Sequence, residues 1–258
     1  MKKFIKSFFA IFNIDIRSKS KLEKKLANSI TLARWKHDIE FTLQIGSQIG
    51  PDFLRLIKLS KSQIRQDLFV LKELKLKKNG FFVEFGATDG VSLSNTYLLE
   101  KEFGYKGILA EPNPRQRKNI ALERKAKIVN ECVWSKSGER LKFVDDGDLS
   151  TISGIKKSNK WKNLIKNKST FFVNTITLTD MLFKYNAPPL IDYLSIDTEG
   201  SEFDILSKHD FSKFNFSVIT VEHNFTEQRN KIYKLLTANG YNRKYENLSM
   251  QDDWYTLS

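Results

Sequence analysis

The sequence has a single cysteine, Cys132. No intrachain disulfide is therefore available, and no cysteine-rich metal centre can form. That scarcity points to a reducing compartment and a cytoplasmic location. Histidine is nearly as scarce, at three residues, and proline numbers five in 258. No uninterrupted apolar stretch reaches the length that spans a bilayer. Residues 1–16 mix lysines with Phe4, Phe8 and Phe12, but Lys6 interrupts the apolar run. Asn13 and Asp15 follow, and no small-residue cleavage site is seen, so this is not read as a signal peptide. Two nucleotide signatures are also missing. There is no Gly-x-Gly-x-x-Gly and no Gly-Lys-Ser/Thr phosphate loop, which argues against a dinucleotide-dependent dehydrogenase and a P-loop enzyme.

What is present is a chain of 40% hydrophobic and 28% charged residues, the composition of a globular domain rather than a disordered one. It is basic, with 43 Lys+Arg against 30 Asp+Glu, a net +13. That excess suits an anionic partner without choosing among an acidic or phosphorylated acceptor, a membrane surface and nucleic acid. No nucleic-acid recognition motif accompanies it, so no nucleic-acid partner is expected. Oligomeric state is not legible.

Residues 1–61 read as a basic helical leader and 62–258 as the main domain. Eight Lys/Arg fall within residues 1–25, with Phe4, Phe8 and Phe12 at helical spacing. The leader is either a docking helix or an interfacial helix making peripheral membrane contact. Helical rhythm resumes over 52–77. From Asn79-Gly80 onward, short apolar strands alternate with helical stretches. Strands are expected at 81–85, 107–111, 127–133, 171–177, 191–196, 217–222 and 241–246, with a last one at Trp254-Tyr255. Helices are expected at 94–103, 114–124, 178–185, 202–208 and 227–238. Repeated βα units imply an α/β fold with a doubly wound, mostly parallel sheet. The basic run from Lys156 to Lys168 is a solvated loop or an anion-attracting flap. His37 and His209 read as surface positions.

The strongest local signal is Phe81 to Gly90. An apolar strand ends in Glu84-Phe85-Gly86-Ala87-Thr88-Asp89-Gly90, and a helix follows. Glycines at a parallel strand's C-terminal end let the backbone turn and approach a ligand. Glu84 and Asp89 would repel a pyrophosphate but suit the amino and sulfonium groups of S-adenosylmethionine. The second strand ends in Glu111, 21 residues beyond Gly90, with Pro112 beside it. An acid there can accept both ribose hydroxyls. Cys132 and Val133, at the end of the third strand, either line the adenine or belong to the core.

A second acidic cluster follows the strand 191–196, where Asp197, Glu199 and Glu202 fall within six residues. Ligands bind at that edge of an open α/β sheet. Asp197 and Glu199 are expected to activate an acceptor hydroxyl, or to hold a divalent metal that does so. The next strand ends in Glu222 and His223. His223 is a candidate proton acceptor near neutral pH, and Glu222 an orienting group.

In order, Gln66-Asp67-Leu68-Phe69-Val70, the run 82–90, Ser94-Asn95-Thr96, the run 107–114, the run 192–202, Val221-Glu222-His223-Asn224 and Asp252-Asp253-Trp254-Tyr255 resemble the FkbM-type methyltransferases. The resemblance covers roughly residues 62–257. It implies a seven-stranded, Rossmann-like class I fold, S-adenosylmethionine as cofactor, and methyl transfer to oxygen on a sugar, glycan or related metabolite. It places Gly86, Asp89, Glu111 and Asp197 at cofactor or active-site positions, with Ser94 and Asn95 shaping the pocket. The rival reading is a non-catalytic module that uses such a fold to grip a membrane surface or RNA.

Overall fold

The computed structural model describes residues 32–145, 150–153 and 169–258. The aromatic-basic helix expected within residues 1–16 and the lysine run 156–168 lie outside them. The chain divides into two compact units, residues 1–44 and 45–258. In the first, residues 32–41 are helical. Leu32, Trp35, Ile39 and Leu43 recur there at spacings of three and four, and all are exposed.

In the second unit the helical rhythm of 52–77 is carried by helices α1 (Phe53–Leu59) and α2 (Gln66–Glu73). The alternation then runs β1 (Phe81–Phe85), α3 (Tyr97–Phe103), β2 (Lys106–Ala110), α4 (Pro114–Glu123) and β3 (Lys127–Val129). Next come β4 (Cys132–Val133), β5 (Arg140–Asp145), β6 (Thr151–Ile152), β7 (Ser169–Ile176) and α5 (Leu178–Lys184). The chain closes with β8 (Leu190–Ile196), α6 (Glu202–Leu206), β9 (Asn215–Glu222), α7 (Gln228–Ala238), β10 (Tyr241–Lys244) and β11 (Asp252–Leu257).

Seven strands form the main sheet in the order β10-β11-β9-β8-β1-β2-β3. All neighbours run parallel except at β11, which is antiparallel to both β9 and β10. This is the doubly wound arrangement expected of a class I methyltransferase. Its central strands are apolar because helices cover both faces: Phe82, Val83, Ile108, Leu194 and Ile219 are fully buried. Helix starts follow local chemistry. Asn113 caps α4 by accepting from the Arg115 N–H at 3.0 Å, with Pro114 at the first helical position. Thr177 caps α5 through the Asp180 N–H.

Two strands depart from expectation. The strand foreseen over 127–133 is broken after Val129, and Cys132–Val133 leaves the main sheet to pair with β7. The strand near 171–177 likewise belongs to a second, four-stranded sheet of order β4-β7-β5-β6. Neither β5 nor β6 was foreseen. β5 alternates Arg140 and Lys142 with Leu141 and Phe143, but it is short, and its pairing with β7 spans a long separation in sequence. His37 and His209 are not surface residues; they are 7% and 8% exposed. His209 is placed by Thr179 Oγ1 at 3.1 Å and the Phe214 carbonyl at 3.0 Å, one ring nitrogen to each. Among the described residues no helix is long and apolar enough to cross a membrane.

Candidate active site

The C-terminal ends of β1, β2, β8 and β9 open onto one cleft of about 600 Å³. One part of its wall is the loop after β1. Gly86 has φ +73°, and a Cβ there would lie 1.9 Å from the Asp197 carbonyl oxygen, so any side chain forces the β1 and β8 loops apart. Ala87 and Thr88 continue this wall. Gly90 also has a positive φ, but for a different purpose. It abuts Ile120 of α4 and lies away from the cleft wall, where its absent side chain lets the loop seat on that helix.

The acids of this region divide sharply by what they touch. Glu84 is 3% exposed and saturated: it accepts from the Asn95 N–H at 2.8 Å, from Ser94 Oγ at 3.1 Å and from Thr96 Oγ1 at 2.5 Å. It thereby fixes the stretch leading into α3. Asp89 turns away from the cleft. Its carboxylate accepts from the N–H groups of Val91 and Ser92 at 2.9 and 2.7 Å. Partial burial works to raise its pKa, but these donors outweigh burial and leave it below the usual value. Arg124, which drew no attention in the sequence, ties the whole loop down. Its side chain is fully buried and donates to Gly90 O, Ser94 Oγ, Thr96 Oγ1 and Glu100. Its position at the C-terminus of α4 gave no signal, because its partners lie 24 to 34 residues away.

Glu111 faces the cleft at 5% exposure. Its Oε1 accepts from the Asn113 N–H at 2.8 Å. Burial raises its pKa to about 7 despite that bond. Pro112 lines the cleft beside it, and Cys132 and Val133 do so from β4. Together with Phe143 of β5 and Ile152 of β6 they make an apolar wall supplied by the second sheet. The Cys132 thiol is pushed up to about 12 by burial, so it is a neutral packing group here. Thr151 Oγ1 donates to the Thr198 carbonyl and anchors this sheet to the loop after β8. Asn95 donates through Nδ2 to Ser195 Oγ at 3.0 Å, while its buried Oδ1 has no hydrogen-bond partner among the described residues.

Strand register brings the other acids together. Ile196 pairs with Val221, so Asp197 and Glu222 emerge as neighbours, and Glu222 pairs in turn with Asp252 of β11. Carboxylate oxygens of Asp197, Glu199 and Glu222 lie within 4.8 Å of one another. The Glu222 pKa is driven far above the carboxylate range, first by burial and then by the charges of Asp197 and Glu199. Asp252 is raised to about 8, chiefly by burial, and is held by Gln66 Nε2 at 2.9 Å. Glu202 adds a smaller repulsion to both Glu222 and Asp252, while its own Oε1 accepts from Thr198 N, Gly200 N and Thr198 Oγ1 and so shapes the loop.

His223 does not line the cleft. It is 3% exposed, with Nδ1 accepting from the Phe225 N–H and Nε2 donating to the Asp252 carbonyl, both at 3.0 Å. Burial lowers its pKa, and both nitrogens are committed. The mouth carries three exposed apolar side chains, Leu93, Phe225 and Met250. Gln63 and Gln251 also line the cleft and meet through a 3.0 Å hydrogen bond. None of these five was singled out in the sequence, because loop residues carry no periodicity.

Two solved structures illustrate the similarities found. A precorrin-6y C5,15-methyltransferase from Geobacter metallireducens GS-15 is 13% identical, over 73% of this chain and 79% of that one, with a TM-score of 0.39. A SAM-dependent methyltransferase from Aquifex aeolicus is 11% identical, over 78% and 96%, with a TM-score of 0.35. Similarities this low carry no argument here. No curated protein matches the chain. The profile of the methyltransferase FkbM domain, however, matches residues 84–243, from the acid of the glycine loop to β10 and well over half of the chain. With its sheet order and a glycine loop and acidic strand ends on one cleft, the chain belongs to the FkbM methyltransferase family, on a class I S-adenosylmethionine-dependent fold.

Proposed function

We propose that this protein transfers a methyl group from S-adenosylmethionine to a hydroxyl oxygen on a sugar, glycan or related metabolite. The observation that carries this reading is the make-up of one cleft. Its lining combines the glycine loop, Glu111 and an apolar wall with the carboxylates Asp197, Glu199 and Glu222.

The lining fits the cofactor. Gly86 lets the β1 loop lie directly against the Asp197 carbonyl, which holds the two loops together as one wall of the cleft. Glu111 is the acceptor for the ribose hydroxyls, with Pro112 beside it. Cys132, Val133, Phe143 and Ile152 offer the adenine an apolar surface. The unpartnered Asn95 Oδ1 suits an ammonium donor. When bound, the cofactor supplies an electrophilic methyl group on a sulfonium.

Asp197 takes the proton of the acceptor hydroxyl, and Glu199 and Glu222 orient that hydroxyl. Alignment of acceptor and cofactor in one cleft supplies much of the rate enhancement. Phe225, 73% exposed at the mouth, gives the carbohydrate's C–H face an apolar platform. His223 positions the strand end through its two backbone bonds and takes no proton from the acceptor.

Isothermal titration with S-adenosylmethionine, repeated on Glu111→Ala, tests the cofactor half. Micromolar binding that the variant loses is the expected result; no binding to the intact protein overturns the reading. Transfer of labelled methyl to sugar hydroxyls, abolished in Asp197→Asn with cofactor binding retained, tests the other half.

A further inference from the structure

The row formed by Asp197, Glu222 and Asp252 across β8, β9 and β11 is a consequence of strand register, and Glu199 joins it from the loop. Like charges gathered at such distances oppose one another, so each needs a reason to be there. Glu202 and Asp252 have one. The Glu202 carboxylate is satisfied by three loop donors and Asp252 by the Gln66 amide. Glu222 does not. It is 9% exposed, yet its Oε2 is buried without a hydrogen-bond partner among the described residues, although its carboxylate belongs to the trio within 4.8 Å. A buried carboxylate oxygen left in that state is costly unless something else satisfies it.

We propose that Asp197, Glu199 and Glu222 bind one hard divalent cation of the Mg²⁺ or Mn²⁺ class, and that the acceptor hydroxyl completes its coordination. The second clause rests on the transferase reading above; the first does not.

The donor set decides the class of ion. Three carboxylates with no imidazole or thiolate favour hard, oxygen-seeking cations over zinc or copper. The spacing agrees. Opposite ligands of an octahedral Mg²⁺ stand roughly 4.2 Å apart, and those of Ca²⁺ roughly 5 Å. No pair of the three carboxylate oxygens is farther apart than 4.8 Å, so one ion of this class can be reached by all three with modest side-chain rotation. Three single-oxygen ligands leave about three octahedral positions for water and for a substrate oxygen. A hydroxyl held there loses its proton more readily, the proton passing to the Asp197 carboxylate oxygen not on the ion, and Glu222 gains a partner that the described residues do not provide.

The test is an Mn²⁺ titration of the full-length protein followed by electron paramagnetic resonance, which reports free aquo-Mn²⁺ directly. One ion bound per chain, with a dissociation constant below about 1 mM and displaced by Mg²⁺, is the expected result. Glu222→Gln and Glu199→Gln should each weaken it at least tenfold. Circular dichroism and melting confirm folding, and the half-exposed Glu199 serves if the buried variant fails to fold. No binding at millimolar Mn²⁺, or binding that these folded variants leave unchanged, overturns the proposal. Titration with S-adenosylmethionine on the same preparation separates the two readings. Manganese bound without cofactor keeps the cation site and sinks the transferase reading; cofactor bound without manganese does the reverse.

Discussion

Replacing Arg124 with methionine should cost this protein a large part of its stability. The guanidinium is fully buried and donates to Glu100 at 3.1 Å, Gly90 O at 2.8 Å, Ser94 Oγ at 3.2 Å and Thr96 Oγ1 at 2.8 Å. It also lies 3.9 Å from the Glu84 carboxylate and against the rings of Phe82 and Tyr97. Methionine keeps most of the volume and the ring contacts. What is lost is the cation between two carboxylates whose side chains are 4% and 6% exposed. Removing one partner of a buried ion pair costs about 3–5 kcal/mol, because the other stays buried and uncompensated. Against a total of about 5–15 kcal/mol for a domain, that is a hundredfold or greater loss in the folding equilibrium. Urea unfolding followed by tryptophan fluorescence at pH 7 measures it, with the slope unchanged and the midpoint lowered. The double variant Arg124→Met/Glu100→Gln should recover about 1 kcal/mol or more, since it removes one stranded charge. A loss below about 1 kcal/mol in the single variant would refute the assignment of Arg124 as the staple of the glycine loop.

Gly86→Ala should weaken S-adenosylmethionine binding at least tenfold, because the new methyl meets the Asp197 carbonyl at 1.9 Å. Gly138→Ala is the comparator. Its φ of +79° is similar, but no atom of the described residues lies within 4 Å of the added Cβ, so it should cost about 1 kcal/mol of stability and leave binding unchanged; equal effects on binding would contradict the clash at Gly86. For His209, burial lowers the pKa from 6.5 to about 4. Between those values the unfolded chain takes up a proton that the folded chain refuses, so stability present above pH 6.5 is lost as pH falls, by up to ~3 kcal/mol. Asp67, raised to about 6 by burial, acts in the opposite sense. The quantity to measure is therefore the difference between the protein and His209→Gln from pH 7 to pH 4, and an unchanged slope in the variant would show that His209 contributes nothing.

How much of this was legible in the chain depends on the range of the interaction responsible. The apolar runs 81–85, 107–111, 191–196 and 217–222 identify the parallel strands, because a strand buried on both faces must be apolar along its length. Strand ends and turns are local, so the sequence alone places Gly86, Glu111, Asp197 and Glu222 on one sheet edge. Periodicity cannot say which sheet a strand joins. Pairing of β5 with β7 and the departure of Cys132–Val133 from the third strand are settled by contacts far apart in sequence. Nor can sequence say which side of its backbone an acid serves. Glu84 and Asp89 stand five residues apart in one motif, and only the folded loop shows that both carboxylates are spent on their own backbone and hydroxyl neighbours. His223 looked like a base from its position, and burial with two backbone bonds removed that role. Asp252 carried no sign of its place, because it opens an antiparallel strand whose start, not its end, reaches the acidic edge. Composition and hydrophobic pattern thus determine the sheet and the edge where chemistry gathers. Strand register and burial decide which of the acids there remain available to a ligand, since those depend on neighbours that the chain meets only when folded.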